Sequence, residues 1–159
     1  MRRSGILMPV SSLPSEYGIG SFSKEAYEFV DQLKAGGQKY WQILPLGPTG
    51  YGDSPYQSFS TYAGNPYYID LETLIEDGLL TKEECDACDF GDNLSYVDYE
   101  KMYYQRFPIL KKAFARFTED EDFYNFVKEN EFWLEDYSLY MAIKNSLNGM
   151  SWSQWEDKL

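Results

Sequence analysis

Short apolar runs and one amphipathic stretch fill the front of the chain, and helical periodicity fills the rest. Gly5-Ile-Leu-Met-Pro-Val10 is a continuous apolar run, which suits a strand buried on both faces. A loop follows from Ser11 to Gly20. Between Lys24 and Ala35 the apolar residues Ala26, Phe29, Val30 and Leu33 recur at i, i+3, i+4 and i+7. That spacing is the stripe of an amphipathic helix. Ser23 stands at the N-cap position, and Gly36-Gly37 supplies the positive φ that closes many helices. Tyr40-Trp-Gln-Ile-Leu-Pro-Leu46 then predicts a second strand. Strand, helix and strand with short connections make a βαβ unit, with parallel strands and a right-handed crossover. Such folds place ligands in the loops beyond the C-terminal ends of the strands. Here those loops are Ser11 to Gly20 and Gly47 to Ser58.

Further on, Gly64-Asn-Pro66 marks a turn, and Tyr67 to Leu71 reads as extended. Glu72 to Gly78 predicts a short helix, and Thr81-Lys-Glu-Glu84 has the capping-box pattern that opens another. Phe90 to Tyr96 reads as loop. Asp98 can cap a helix with Met102, Phe107, Leu110, Phe114 and Phe117 near one face, kinked or split at Pro108. A second helix is expected from about Asp120 to Lys144, carrying Phe123, Phe126, Val127, Trp133, Leu134, Tyr137 and Met141. Two parallel strands are too few for a stable sheet, and the helical half never returns to strand. The pattern therefore predicts the front part of a larger α/β protein. Residues 1–71 would hold the first βαβ unit with its loops, and residues 72–159 a mainly helical insertion after the second strand.

Composition narrows the chemistry. The 159 residues carry a net charge of −12, a field that repels nucleic acid and anionic membranes. The chain has no histidine, which excludes a Ser-His-Asp triad, a Cys-His pair and any histidine metal site within it. Catalysis here would rest on carboxylates, Tyr, Lys or Cys. Cys85-Asp-Ala-Cys88 lacks the second ligand pair that structural zinc needs, so two free thiols and no metal are expected. Arg2 and Arg3 mimic a signal peptide, but the apolar run behind them is short and contains Pro9. No segment is long and apolar enough to span a membrane. The expectation is a soluble, cytoplasmic protein. The aromatic share is 18%, with 15 Tyr; it serves either an aromatic core or a surface where rings meet an amphipathic ligand such as a sugar.

Gly47 to Ser58, GPTGYGDSPYQS, holds three glycines and two prolines. It cannot be a helix and is too polar for a buried strand. It is a surface turn, or a rigid loop that holds side chains for a ligand.

Four stretches carry a resemblance. They are Ile6 to Pro14, Tyr17-Gly-Ile-Gly20, Tyr40 to Ser58 with its Gly-Asp-Ser-Pro-Tyr core, and Ala63-Gly-Asn-Pro66. Weaker matches follow at Val97-Asp-Tyr99 and Trp133 to Tyr137. Together they resemble the amylomaltases, 4-α-glucanotransferases that include the plant disproportionating enzymes. The resemblance implies an α/β fold, the N-terminal portion of a (β/α)₈ TIM barrel with a helical insertion after the second strand. It implies cleavage of an α-1,4-glucan, a covalent glycosyl-enzyme, and transfer to the 4-hydroxyl of another glucan or glucose with retention and without a cofactor. Three carboxylates carry that reaction. In the family they lie downstream of the matched segment, and no acidic residue here matches them. The catalytic set of this chain is therefore none, and a barrel needs about 250 residues. The isolated chain is expected to be inactive.

The same resemblance assigns binding roles. Ser54 and Tyr56 correspond to residues that touch the glucan on the donor side of the cleft. A tyrosine ring can stack on a glucose face, and Pro55 between the two limits their freedom. Asp53 accepts from sugar hydroxyls or braces the turn. Tyr51, with Tyr103 in the helical part, corresponds to a second glucan groove; Tyr104 stands beside Tyr103. Trp41 and Gln42 are expected in the core or behind the site, and Trp133 to Tyr137 in packing. The expected partners are α-1,4-glucans: maltooligosaccharides and fragments of starch or glycogen. Two other readings fit the absent carboxylates, a non-catalytic α-glucan-binding fragment or part of a related α-glucan hydrolase.

Overall fold

A computed structural model describes residues 2–93 and 95–155. The expected Phe90–Tyr96 loop includes Leu94, which lies outside the described residues. Strand β1 (Gly5–Leu7) pairs in parallel with β2 (Tyr40–Gln42), in the register Gly5 to Tyr40, Ile6 to Trp41 and Leu7 to Gln42. The Met8 N–H donates to the Gln42 carbonyl at 3.0 Å, and the Trp41 indole N–H donates back to the Met8 carbonyl at 2.7 Å. Both strands are shorter than the apolar runs that predicted them. Pro9 and Pro45 have no N–H to extend the ladder. The expectation of burial on both faces fails: Ile6 is 40% and Leu7 55% exposed. Burial of that kind needs neighbouring strands, and the described residues supply no third.

Helix α1 (Lys24–Ala35) connects the strands and ends at Gly36, with Gly37 at φ +72°. Ser23 does not cap it through its side chain. Its hydroxyl donates to Glu25 Oε2 at 2.6 Å instead. Ala26 packs with Val10 and Leu13, and Phe29 meets Trp41 edge-on with ring centroids 5.1 Å apart.

The larger core gathers Tyr17, Ile19, Tyr67, Leu71 and Leu80 with residues of three more helices. These are α2 (Leu71–Glu76), α3 (Lys82–Asp86) and α4 (Tyr99–Arg116). Asp70 caps α2, Asp98 caps α4, and Thr81 with Glu84 forms the expected capping box at α3. Of residues 67–71 only Ile69 and Asp70 are extended, and Leu71 already opens α2. Pro66–Tyr68 is a 3₁₀ turn, because Asn65 Oδ1 accepts the Tyr67 N–H at 3.0 Å and Pro66 fits a first helical position. Helix α4 continues through Pro108 without a split. The carbonyl that loses its partner there belongs to Tyr104, an exposed residue that water can serve. The stripe that α4 buries is Met102, Arg106, Ile109 and Ala113, whereas Phe114 is 74% exposed. Counting apolar residues missed that face because a charged residue occupies it.

Backbone contacts divide the chain into two compact units, Met1–Phe117 and Thr118–Leu159. In the second, the expected single helix is two, α5 (Glu121–Glu129) and α6 (Glu131–Ser146). Asn130 interrupts it. Its Nδ2 donates to the Phe126 carbonyl and its Oδ1 accepts the Trp133 indole N–H, the local competition with helix hydrogen bonds that Asn favours. Trp133 and Tyr137 pack together at 5.8 Å. Among the described residues no helix is long and apolar enough to cross a membrane.

Candidate carbohydrate-binding cleft

Residues 47–58 leave the sheet as a loop whose base is pinched. A Cβ on Gly47 would lie 2.2 Å from Ser58 Oγ and 3.0 Å from the Ser60 carbonyl oxygen, so only glycine fits. At the tip, Gly52 has φ +95° and Asp53 φ +53°. Two consecutive left-handed residues reverse the chain, and Asp tolerates this better than most non-glycine residues. Pro55 then opens a 3₁₀ turn over Pro55–Gln57. The strip 65–68 runs beside the loop. The Asn65 N–H donates to the Leu46 carbonyl at 2.8 Å, and its Nδ2 reaches Thr49 Oγ1 at 3.5 Å.

Loop, strip and the segment after β1 enclose a cleft of about 120 Å³. Ser11, Thr49, Asp53, Asn65, Tyr67 and Tyr99 supply its polar lining, over the apolar Pro9, Ile19, Leu44 and Pro55. Pro9 and Leu44 each stand two residues beyond a strand end. The cleft therefore opens at the C-terminal edge of the parallel pair, where α/β folds place ligands.

Burial sets its electrostatics. It pushes the Tyr67 hydroxyl up to about 12, with the charge of Asp53 adding to the effect. Burial likewise raises Tyr68 and Tyr99, each against a hydrogen bond to Ser11. Asp53 is raised by burial, and a hydrogen bond from Thr49 opposes the shift. At neutral pH the described residues of the lining thus offer protonated phenols, an amide, hydroxyls and one carboxylate, and no cation among them. Aromatic faces beside neutral donors and acceptors suit a neutral polyhydroxylated ligand. A retaining glycosidic cleavage needs two carboxyl groups about 5–5.5 Å apart. Among the described residues Asp53 is the only carboxylate in the lining, so the lining lacks the pair that such a cut needs.

The sequence-predicted residues fall in three places. Asp53 lines the cleft, and Ser54 follows it, half-buried, with its carbonyl accepting the Gln57 N–H at 3.0 Å. Tyr51 and Tyr56 stand out from the loop, Tyr51 fully exposed and Tyr56 74% exposed. Tyr103 is on α4, edge-on to Tyr104 at 5.4 Å and to Phe107 at 5.5 Å. Phe107 in turn meets Tyr67 at 5.7 Å, which links Tyr103 to the cleft wall. Trp41 is half-buried in the smaller core, whereas Gln42 is exposed and belongs to no core. Sequence reasoning missed Ser11, Asn65, Tyr67 and Tyr99. A signal existed: Ala63–Pro66 and Val97–Tyr99 carry matched residues without an assigned role, and both border this cleft.

Residues 8–159 match the sequence model of 4-alpha-glucanotransferase. A 4-alpha-glucanotransferase of Streptococcus pneumoniae (serotype 4) is 54% identical over 98% of this chain and 32% of its own length. One from Thermus thermophilus is 47% identical over 97% and 31%, and the chloroplastic/amyloplastic protein of Arabidopsis thaliana is 35% identical over 99% and 28%. The chain thus spans about a third of the length of these relatives. Among solved structures, amylomaltase from Streptococcus agalactiae in complex with acarbose superposes with a TM-score of 0.92 at 42% identity, over 99% of this chain and 32% of that one. A match that runs from residue 8 to residue 159, at these identities, means that the chain belongs to the 4-alpha-glucanotransferase family.

Proposed function

We propose that this segment forms the sugar-holding side of the cleft in a 4-α-glucanotransferase, an enzyme that moves α-1,4-glucan segments to the 4-hydroxyl of another glucan or glucose. The observation that carries this reading is the cleft itself. It lies beyond the C-terminal ends of two parallel strands, and phenols, an amide and one carboxylate line it. In this reading residues 1–71 are the first βαβ unit of a (β/α)₈ barrel, and residues 72–159 are an insertion after its second strand. The nucleophile, the acid/base and the third carboxylate come from the rest of the barrel. Ser54 and Tyr56 touch the donor glucan, and Asp53 braces the turn between them and the cleft. Tyr51 and Tyr103 form a second contact for long glucans. An acidic chain with two free thiols fits the cytoplasm.

The test is disproportionation of maltotriose. A full-length protein carrying this segment should produce glucose and longer maltooligosaccharides, and the 159-residue chain alone should produce neither. Hydrolysis without longer products would favour the α-glucan hydrolase reading. Glucan binding by a full-length protein without turnover would favour a non-catalytic binding role.

A further inference from the structure

Arg106 sits in the middle of the larger core and is 1% exposed. No carboxylate meets its guanidinium within hydrogen-bonding distance among the described residues. Instead Nη2 donates to the Tyr67 carbonyl at 3.2 Å and to the Ile69 carbonyl, while the guanidinium lies 5.9 Å from the centroid of the Phe90 ring. Nε and Nη1 find no hydrogen-bond partner among the described residues. Burial lowers the guanidinium to about 10, partly offset by the charge of Asp70, so it stays protonated at neutral pH. A buried charge costs several kcal/mol as an order of magnitude unless something compensates it. An apolar residue would fill this position of α4 at no such cost.

What the charge holds is specific. Its two carbonyls belong to the strip that carries Asn65, Tyr67 and Tyr68 into the cleft. The intervening Tyr68 carbonyl accepts the Phe22 N–H at 3.5 Å, and the Pro66 carbonyl accepts the Ile69 N–H at 3.3 Å. Every carbonyl from Pro66 to Ile69 is thereby fixed, two of them by Arg106. Tyr67 cannot turn about its backbone without releasing the guanidinium.

We propose that Arg106 is a positioning residue for glucan binding: from beneath, it sets the height and angle of the strip that presents Asn65 and Tyr67 to the sugar. This deepens the function proposed above and rests on it. An effect on pre-set binding geometry falls on KM before it falls on the chemical step.

The experiment uses the full-length glucanotransferase and the variants Arg106→Met and Arg106→Lys. Arg106→Met should raise KM for maltotriose about tenfold while kcat changes less than about threefold. Arg106→Lys keeps the charge and an N–H donor group, without the guanidinium's fork, and should recover part of the difference. Amide exchange at residues 65–69 should quicken in the order wild type, Lys, Met, with α1 unchanged. A KM unchanged in folded Arg106→Met, or an equal fall in kcat and in folded fraction with no local change in exchange, would overturn the proposal. Should the Met variant not fold, the Lys variant decides: wild-type KM together with wild-type exchange at 65–69 overturns it. Wild-type protein without transfer activity would defeat the proposed function instead, and the exchange data would still judge the clamp.

Discussion

Ser21 Oγ donates to Asp70 Oδ1 at 3.0 Å, and so ties the loop after β1 to the residue that caps α2. Ser21 is 2% exposed, and the other oxygen of Asp70 accepts both the N–H and the hydroxyl of Thr73 at 2.9 Å. One carboxylate therefore ends a helix and anchors a cleft loop. Asp70→Ala loses a cap and strands a buried hydroxyl, about 2–3 kcal/mol together. Ser21→Ala should cost about 1 kcal/mol, and the double variant less than the sum. Amide exchange at Thr73 should rise at least tenfold in Asp70→Ala; an unchanged rate would show that the cap contributes nothing.

Gly47 and Gly50 separate shape from flexibility in the cleft loop. A Cβ on Gly47 would overlap Ser58, whereas a Cβ on Gly50 meets nothing within 4 Å. Gly47→Ala should destabilise the loop by about 1–3 kcal/mol and raise KM for glucans. Gly50→Ala should change neither beyond about 0.5 kcal/mol. Thermal melting and maltotriose kinetics on both variants give the comparison, and equal behaviour would mean that the pinch at the loop base is not needed.

Acid should weaken the junction of α3 and α4. Arg116 forks onto Glu84 with contacts of 2.7 and 2.8 Å, and Glu84 also accepts the Thr81 N–H. The Arg116 hydrogen bonds and then the backbone bond hold the Glu84 carboxyl down at about 2. The unfolded chain takes up this proton at about pH 4.3. The stabilisation is thus present above that pH and disappears as pH falls towards 2. An NMR titration of the Glu84 side-chain carboxyl should show a midpoint near 2. A midpoint near 4 would mean the fork does not persist in solution. Glu84→Gln should remove this part of the acid sensitivity.

The tyrosines should divide by glucan length. On the proposed contact of Tyr56 with the donor glucan, Tyr56→Ala in the full-length enzyme should cost about 1–2 kcal/mol in kcat/KM with short and long donors alike. Tyr103→Ala should matter mainly with long glucans. Unchanged kinetics in stable Tyr56→Ala would take Tyr56 out of the site, and equal losses on maltotriose and amylose for Tyr103→Ala would argue against a remote contact.

The parallel pair, α1 and the two caps at Thr81 and Asp98 were legible because each depends on local chemistry within a few residues, whereas the cap at Asp70 was missed because residues 67–71 read as extended. The cleft loop was legible too, since glycine and proline in that density leave few alternatives. Arg106 was not legible. Nothing in a periodicity count predicts that a cation will occupy a core stripe and serve two carbonyls 37 and 39 residues away. Tyr67 and Tyr99 were hidden for a related reason. One sits after a proline, the other at a helix start, and only tertiary packing brings them to one cleft. The break at Asn130 was missed because Phe126 and Val127 keep helical spacing with Trp133 and Leu134 on either side of the polar run from Lys128 to Glu131.

The exposed sheet has a consequence for handling the protein. A strand beside only one partner presents a row of unpaired backbone groups along its other edge, and β1 and β2 each do so among the described residues. Ile6, Leu7 and Tyr40, all more than one-third exposed, flank those edges. Such edges are templates for another chain. The 159-residue polypeptide on its own is therefore a candidate for intermolecular strand pairing, and its solubility should fall as concentration rises.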